Sequence, residues 1–199
     1  MSSGRAADLV RELALQPHPE GGWYREIYRS PTLVQTARGT RPALTTIYYL
    51  LEASQLSRWH VVQADELWHF YGGASLELLA YAPATRTFER RLLGPVGMDS
   101  AVDEAFAGTP EADVAHFDVD LTSTLHFAPP DLSAPAQPAA VVSVIPAGVW
   151  QAARSLGEYS LVGCTVGPGF EFADFEFVSA LGAHGSHFTG ELAVYAGLL

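Results

Sequence analysis

Ser57-Arg58-Trp59-His60-Val61-Val62-Gln63-Ala64-Asp65-Glu66-Leu67-Trp68-His69-Phe70-Tyr71-Gly72-Gly73 is the stretch that decides the fold. Its β-branched and aromatic density predicts two short strands, Ser57 to Val62 and Glu66 to Tyr71, with glycines closing the second. Runs of the same kind lie on either side at short intervals. Leu44 to Leu51 precedes it, and Leu76 to Tyr81, Thr87 to Leu93, Val141 to Ile145, Tyr159 to Val166 and Phe170 to Phe177 follow. Glu20 to Ser30 alternates aromatic and polar residues behind Gly21-Gly22 and reads as a further strand. Evenly spaced strands with Gly or Pro between them predict an all-β sandwich or barrel rather than a parallel α/β sheet.

Only one helix is expected. Ala6 to Leu15 puts Leu9, Val10, Leu13 and Ala14 at helical spacing, and Pro17 and Pro19 stop it. The segment from Met1 to Leu15 carries Arg5, Asp8, Arg11 and Glu12 and has no long apolar core. It therefore reads as neither a signal peptide nor a membrane span, and a cytoplasmic setting is expected. Met98 to Ala140 differs in composition, with eight acidic residues, four prolines from Pro129 to Pro138 and no basic residue. It is expected to be an acidic, Pro-rich insertion within a single domain spanning residues 1–199, with gating of a pocket mouth as the sharper alternative. Val114 to Leu121 alternates within it as a strand would.

Charge and composition exclude several functions. The net charge is −11 and every one of the 11 basic residues is Arg, so no side chain can form a lysine Schiff base. An acidic chain without basic patches does not predict nucleic-acid binding. Cys164 is the single cysteine, so neither a disulfide nor a thiolate cluster is expected, and its apolar surroundings predict a packing role.

Two segments resemble the short motifs of the cupin superfamily. In that pattern the first motif supplies two histidines and a glutamate on adjacent strands and closes its hairpin with glycine. The second is Pro-x-Gly followed after two residues by a third histidine. His60 takes the first histidine position, Glu66 the glutamate and Gly73 the turn, while Pro146-Ala147-Gly148-Val149-Trp150-Gln151 matches the second motif. Val62 and Gln151 stand where the other two histidines would be. Leu15 to Glu26, Thr45 to Leu51, the Trp59–His69 stretch and Pro146 to Phe175 together resemble the cupin-5 family, formerly a domain of unknown function. The resemblance implies a double-stranded β-helix, the cupin jelly-roll barrel. It also implies a common homodimer and a shape similar to sugar-nucleotide epimerases of the RmlC type.

The candidate catalytic residues are His60, which titrates near neutrality and is taken as the base, and Glu66 as acid or orienter. Burial would raise the Glu66 carboxyl, unless Arg25 or Arg58 pairs with it. Candidate substrate-binding residues are Arg25 and Arg58 for an anionic group, Tyr49, Trp59 and Trp68 as an aromatic wall, and Gln151 as a hydrogen-bonding amide. His60, Glu66 and Gln151 would make a thin metal site. His69 joins them only if a bulge turns it to the face of Glu66.

The expected function is acid–base chemistry of the epimerase, isomerase or dehydratase type on a small oxygenated metabolite, sugar- or nucleotide-linked molecules included. A divalent-metal cupin, dioxygenase or isomerase, and a non-catalytic small-ligand module are the alternatives. The expected partners are a small-molecule substrate and a second copy of the chain, with no nucleic acid and no membrane.

Overall fold

The chain is seen in a computed structural model, which describes residues 4–96 and 139–177. The run Thr45-Thr46-Ile47-Tyr48-Tyr49-Leu50-Leu51 is too apolar to leave either face in water, and it forms a central strand, β5 (Thr45–Glu52). Before it come α1 (Arg5–Glu12), β1 (Gln16–Pro17), β2 (Trp23–Arg29), β3 (Leu33–Thr36) and β4 (Gly39–Pro42). After it come β6 (Leu56–Val62), β7 (Asp65–Gly73), β8 (Leu76–Ala82), β9 (Thr87–Leu93), β10 (Val142–Ile145), β11 (Trp150–Ser155), β12 (Tyr159–Gly167) and β13 (Phe175–Phe177).

The strands make a six-stranded sheet in the order β1-β2-β5-β12-β7-β10 and a five-stranded sheet in the order β13-β6-β11-β8-β9. All strand pairs are antiparallel, and β3 and β4 form a separate hairpin. Non-sequential neighbours such as β5–β12 and β6–β11 are the crossovers of a jelly roll, so the fold is the expected all-β double-stranded β-helix with one short N-terminal helix.

Between the sheets lies a core of Tyr49, Leu51, Trp68, Leu76, Leu78, Ala80, Ile145, Ala153, Val162 and Cys164. The period-two pleat sends alternate residues inward from both sheets. α1 packs Ala6 and Leu9 on the opposite face of the six-stranded sheet, against Leu50. The face of the five-stranded sheet turned away from the core holds a second cluster of Trp59, Val61, Leu79, Tyr81, Trp150 and Ala152.

Several boundaries differ from expectation. The helix ends at Glu12, before the prolines. Ala14 takes a left-handed conformation, and the amides of Ala14 and Leu15 bond back to Arg11 and Val10, closing the last turn. Phe170 to Phe177 is not one strand, because a 3-10 turn over Phe172–Asp174 interrupts it. Within that segment Asp174 is buried, gripped by the Arg41 fork at 2.7 and 2.9 Å and approached by Arg38 at 3.2 Å. The charge pair ties the β3–β4 hairpin, which no sequence pattern announced, to the end of the barrel. The proposed insertion and the Val114–Leu121 strand lie outside the described residues.

Asp174→Ala should release that hairpin while leaving the barrel folded. Tryptic cleavage after Arg38, followed by mass spectrometry, should accelerate roughly tenfold as local opening becomes easier. Unchanged cleavage would show that Asp174 does not hold the hairpin.

Candidate active site

His18-Pro19-Glu20-Gly21-Gly22 sends a carboxylate into the barrel. Gly21 has φ +115°, and a Cβ there would lie 2.0 Å from the Leu56 carbonyl oxygen; Gly22 has φ +71°, with the Leu50 oxygen 2.6 Å from the corresponding point. Only residues without side chains let the backbone press so closely and adopt these angles. The loop is then pinned by Tyr49, whose hydroxyl donates to the Gly21 carbonyl at 2.8 Å, and by the Arg58 amide, which donates to the Glu20 carbonyl at 3.1 Å.

Glu20 so placed is the hub of a buried network. Its carboxylate accepts from Ser57 Oγ at 2.5 Å and from His60 Nδ1 at 2.8 Å, and lies 3.1 Å from His18 Nδ1, which accepts from the Glu20 amide at 3.3 Å. Ser57 and His60 are three residues apart, an odd spacing that a regular strand would send to opposite faces. A bulge in β6 absorbs the extra residue, since Ala153 pairs with Ser57 while Gln151 pairs with His60. Both side chains therefore reach Glu20.

The charges follow from this geometry. Burial pulls the His60 imidazole toward neutrality, but the charge and hydrogen bond of Glu20 outweigh it and push the pKa up to about 9. Burial likewise opposes the Glu20 charge, and His60 overrides it, holding the carboxyl at about 2. His60 Nδ1 also faces the Arg58 carbonyl at 2.8 Å, and with two acceptors before it that nitrogen must carry a proton. Burial lowers His18 despite Glu20, so the ion pair is essentially Glu20 with His60.

Glu66, on β7, shifts the other way. Burial raises its carboxyl, and the His60 charge and hydrogen bonds from Gln151 and the Cys164 thiol only partly offset this. Gln151 holds it in place: the amide Nε2 donates to Glu66 Oε2 at 2.6 Å, while Oε1 accepts from the Trp68 indole at 3.0 Å. An indole nitrogen can only donate, so Trp68 fixes which way the amide points. Pairing of Glu66 with Arg25 or Arg58 does not occur.

This orientation decides the metal question for the residues expected to hold one. The Gln151 oxygen is taken by Trp68 and its nitrogen faces Glu66, while His60 Nδ1 is committed to Glu20. His69 stays on the other face, because the bulge in β7 comes after it, at Tyr71. Gln151 and His69 thus drop out of the expected ligand set, leaving His60 Nε2 and Glu66 as the groups that can still face a metal. Among the described residues no cluster of three or more His, Cys, Asp or Glu side chains could hold a metal ion.

His60 and Glu66 border one cavity of about 310 Å³ with His18, Glu20, Val62 and Cys164. Toward its mouth lie Tyr24, Glu26, Arg29, Phe170, Glu171, Phe172 and Phe175. Phe175 stacks on His60 with ring centres 5.2 Å apart, and Phe172 is largely exposed.

The other expected binding residues do not border this cavity. Arg25 lies over the Tyr48 ring at 5.7 Å, and Arg58 donates to the Pro19 carbonyl at 2.6 Å and covers Phe177 at 4.8 Å. Tyr49 and Trp68 are core residues, and Trp59 belongs to the cluster on the far face of its sheet. Gln151 reaches the site only through Glu66. Sequence reasoning gave no role to His18, Glu20, Glu26 or Arg29. A carboxylate followed at once by two glycines was the signal for Glu20.

Two predictions follow from the buried pair. Glu20 contributes stability above the ordinary carboxylate pKa of 4.5 and loses it as pH falls toward about 2. His60 contributes fully below 6.5 and loses its contribution as pH rises through about 9. His18 and Glu66 shift in the opposing directions, so the informative quantity is the stability gap between wild type and His60→Gln in urea titrations. That gap, on the order of 1–3 kcal/mol near pH 6, should narrow through pH 9; a constant gap up to pH 10 would refute the ion pair. Gly21→Ala should cost about 2–4 kcal/mol in the same titrations, through the clash with Leu56 and its positive φ.

Comparison with known proteins agrees with this architecture. No curated protein matches the chain. A protein of Shewanella oneidensis has a similar structure, with 27% identity, a TM-score of 0.63, and 96% of this chain and 94% of that one covered. A hypothetical protein from Leishmania major shares 26% identity at a TM-score of 0.61, over 86% of this chain and 85% of the other. The family described as Cupin superfamily (DUF985) matches over residues 7–106 and 107–178, so the chain belongs to that cupin family.

Proposed function

We propose that this cupin is an enzyme that moves protons on a small oxygenated metabolite, in an isomerase, epimerase or lyase reaction. The observation that carries the reading is a pair of buried ionisable groups bordering one cavity with separated roles. Glu20 keeps His60 charged, whereas burial raises the Glu66 carboxyl above its ordinary range. Environments that drive neighbouring groups apart in this way divide acid from base.

The roles expected from the sequence are exchanged in this reading. His60, already protonated, is a poor base and a good donor; Nδ1 is held by Glu20, which leaves Nε2–H for the substrate. Glu66 as carboxylate takes the proton from a carbon next to a carbonyl. The C–H bond breaks, its electron pair moves onto the carbonyl oxygen, and His60 stabilises that oxygen. Protonation of the carbon from its opposite face by a solvent water, while Glu66 releases its proton to solvent, gives an epimer, and departure of a β-hydroxyl as water, taking the proton held by Glu66, gives elimination. Gln151 and Trp68 position Glu66, and Glu20 and Ser57 position His60. The homodimer remains part of the proposal, supported by the exposed Tyr71, Val142 and Val144 on the six-stranded sheet.

A thermal-shift screen of hydroxy acids, keto acids and sugars, followed by proton NMR of each stabilising compound in D₂O, tests the chemistry. Wild type should exchange a carbon-bound hydrogen for deuterium. Glu66→Gln should lower the exchange rate at least about a hundredfold and His60→Gln by a similar factor, with both variants still unfolding cooperatively above the assay temperature and His60→Gln less stable to the extent given above. Compounds that stabilise the protein but never exchange or change would make it a binding module instead.

A further inference from the structure

The only guanidinium among the described residues bordering the cavity is Arg29, and none of its donors is free for a ligand. Nε and one terminal nitrogen form a fork on Glu26, at 3.1 and 2.8 Å. The other terminal nitrogen donates to Glu171 Oε1 at 2.8 Å, and both terminal nitrogens approach the Phe170 carbonyl at 3.4 Å. A guanidinium has five N–H groups, and these contacts use all five.

The sequence arranges this through a second bulge. Glu26 pairs with Ile47 and Arg29 with Thr45, so β2 holds one residue more than β5 across that interval. Glu26 and Arg29, three apart, consequently face the same cavity. Glu171 arrives from the other side, on the segment that leads into the 3-10 turn. Other arginines are engaged elsewhere, among them Arg38 and Arg41 on Asp174, Arg90 and Arg154 on Glu77, Arg91 on Glu89 and Arg58 on Pro19. At the mouth, two carboxylates thus surround one cation. Deeper in, Glu20 cancels His60.

We propose that the cavity admits neutral or cationic small molecules, polyhydroxylated or amine-bearing, and excludes those carrying phosphate, diphosphate or a free carboxylate, with Arg29 as the specificity-determining residue. This rests on the reading of the cavity as a substrate site and narrows its substrate class. An incoming anion would have to displace a carboxylate from Arg29 and sit beside the one displaced, and such like-charge juxtaposition is a means of rejection. The phenyl faces of Phe170 and Phe172 beside Glu171 suit a sugar ring or an ammonium group instead.

Inorganic phosphate is the probe, and the readout is the Arg29-dependent part of the melting-temperature shift. It is obtained by subtracting the shift of the matching Arg29→Met protein, against chloride at equal ionic strength. Wild type should show none. Glu26→Gln/Glu171→Gln, which frees the guanidinium, should gain about 3–6 °C at phosphate tenfold above its Kd. Glu171→Gln alone, with one carboxylate still in place, should gain less and serves if the double variant is unstable. An Arg29-dependent shift in wild type overturns the proposal, and so does its absence in every variant. Proton transfer is judged separately, by deuterium exchange in bound compounds of whatever charge.

Discussion

A carboxylate with almost no access to water is stable only where its charge is met, and Glu20 sets that requirement at the centre of the barrel. Its partners are drawn from two places in the chain: Ser57 and His60 from β6, and His18 from its own loop. Each depends on the backbone coming close, which Gly21 and Gly22 permit. Once Glu20 is fixed, the rest of the electrostatics follows. His60 holds its proton, His18 gives its proton up, and Glu66 sees one cation and one anion that nearly cancel, leaving burial to dominate.

The sheets supply rigidity, and their irregularities supply the placement. A regular strand can offer the cavity only every second residue. The bulges in β2 and β6 break that rule at two points, bringing Glu26 with Arg29 and Ser57 with His60 to the same side. Trp68 and Gln151 do the reverse: regular pleating keeps them inside, where an indole donor fixes an amide that in turn fixes a carboxylate. Preorganisation of this kind holds a proton carrier in one orientation before any substrate arrives.

Much of the barrel was legible in the sequence, because β-branched runs between glycines and prolines have few other ways to bury themselves. Gly73 turns the chain from β7 of one sheet into β8 of the other with φ +89°, and Gly148 turns it toward Gln151 with φ +79°, at the two turns the motif resemblance marked. The inward direction of His60 and Glu66 was also readable. What could not be read was anything set by a bulge or by a non-local charge. Trp59 was expected beside His60 in the pocket, yet neighbours in a strand face opposite ways, and the extra residue in β6 lies before them rather than between them. Arg25 and Arg58 carried the right charge but were already occupied by aromatic rings and a loop carbonyl. Asp174 looked like one more acid in an alternating run until its arginines arrived from a distant hairpin.

The bulge in β6 also makes the strand behave like a reading frame. Trp59 and His60 occupy compartments on opposite sides of one sheet, one dry and aromatic, the other charged. Their assignment depends on counting residues from the point where the chain is anchored by Ser57. Smoothing the bulge at full strand length would exchange the two compartments, putting an indole into the cavity and a histidine among Leu79, Tyr81 and Trp150. Chemistry in this barrel therefore depends on one irregularity of the backbone as much as on the identity of any one side chain.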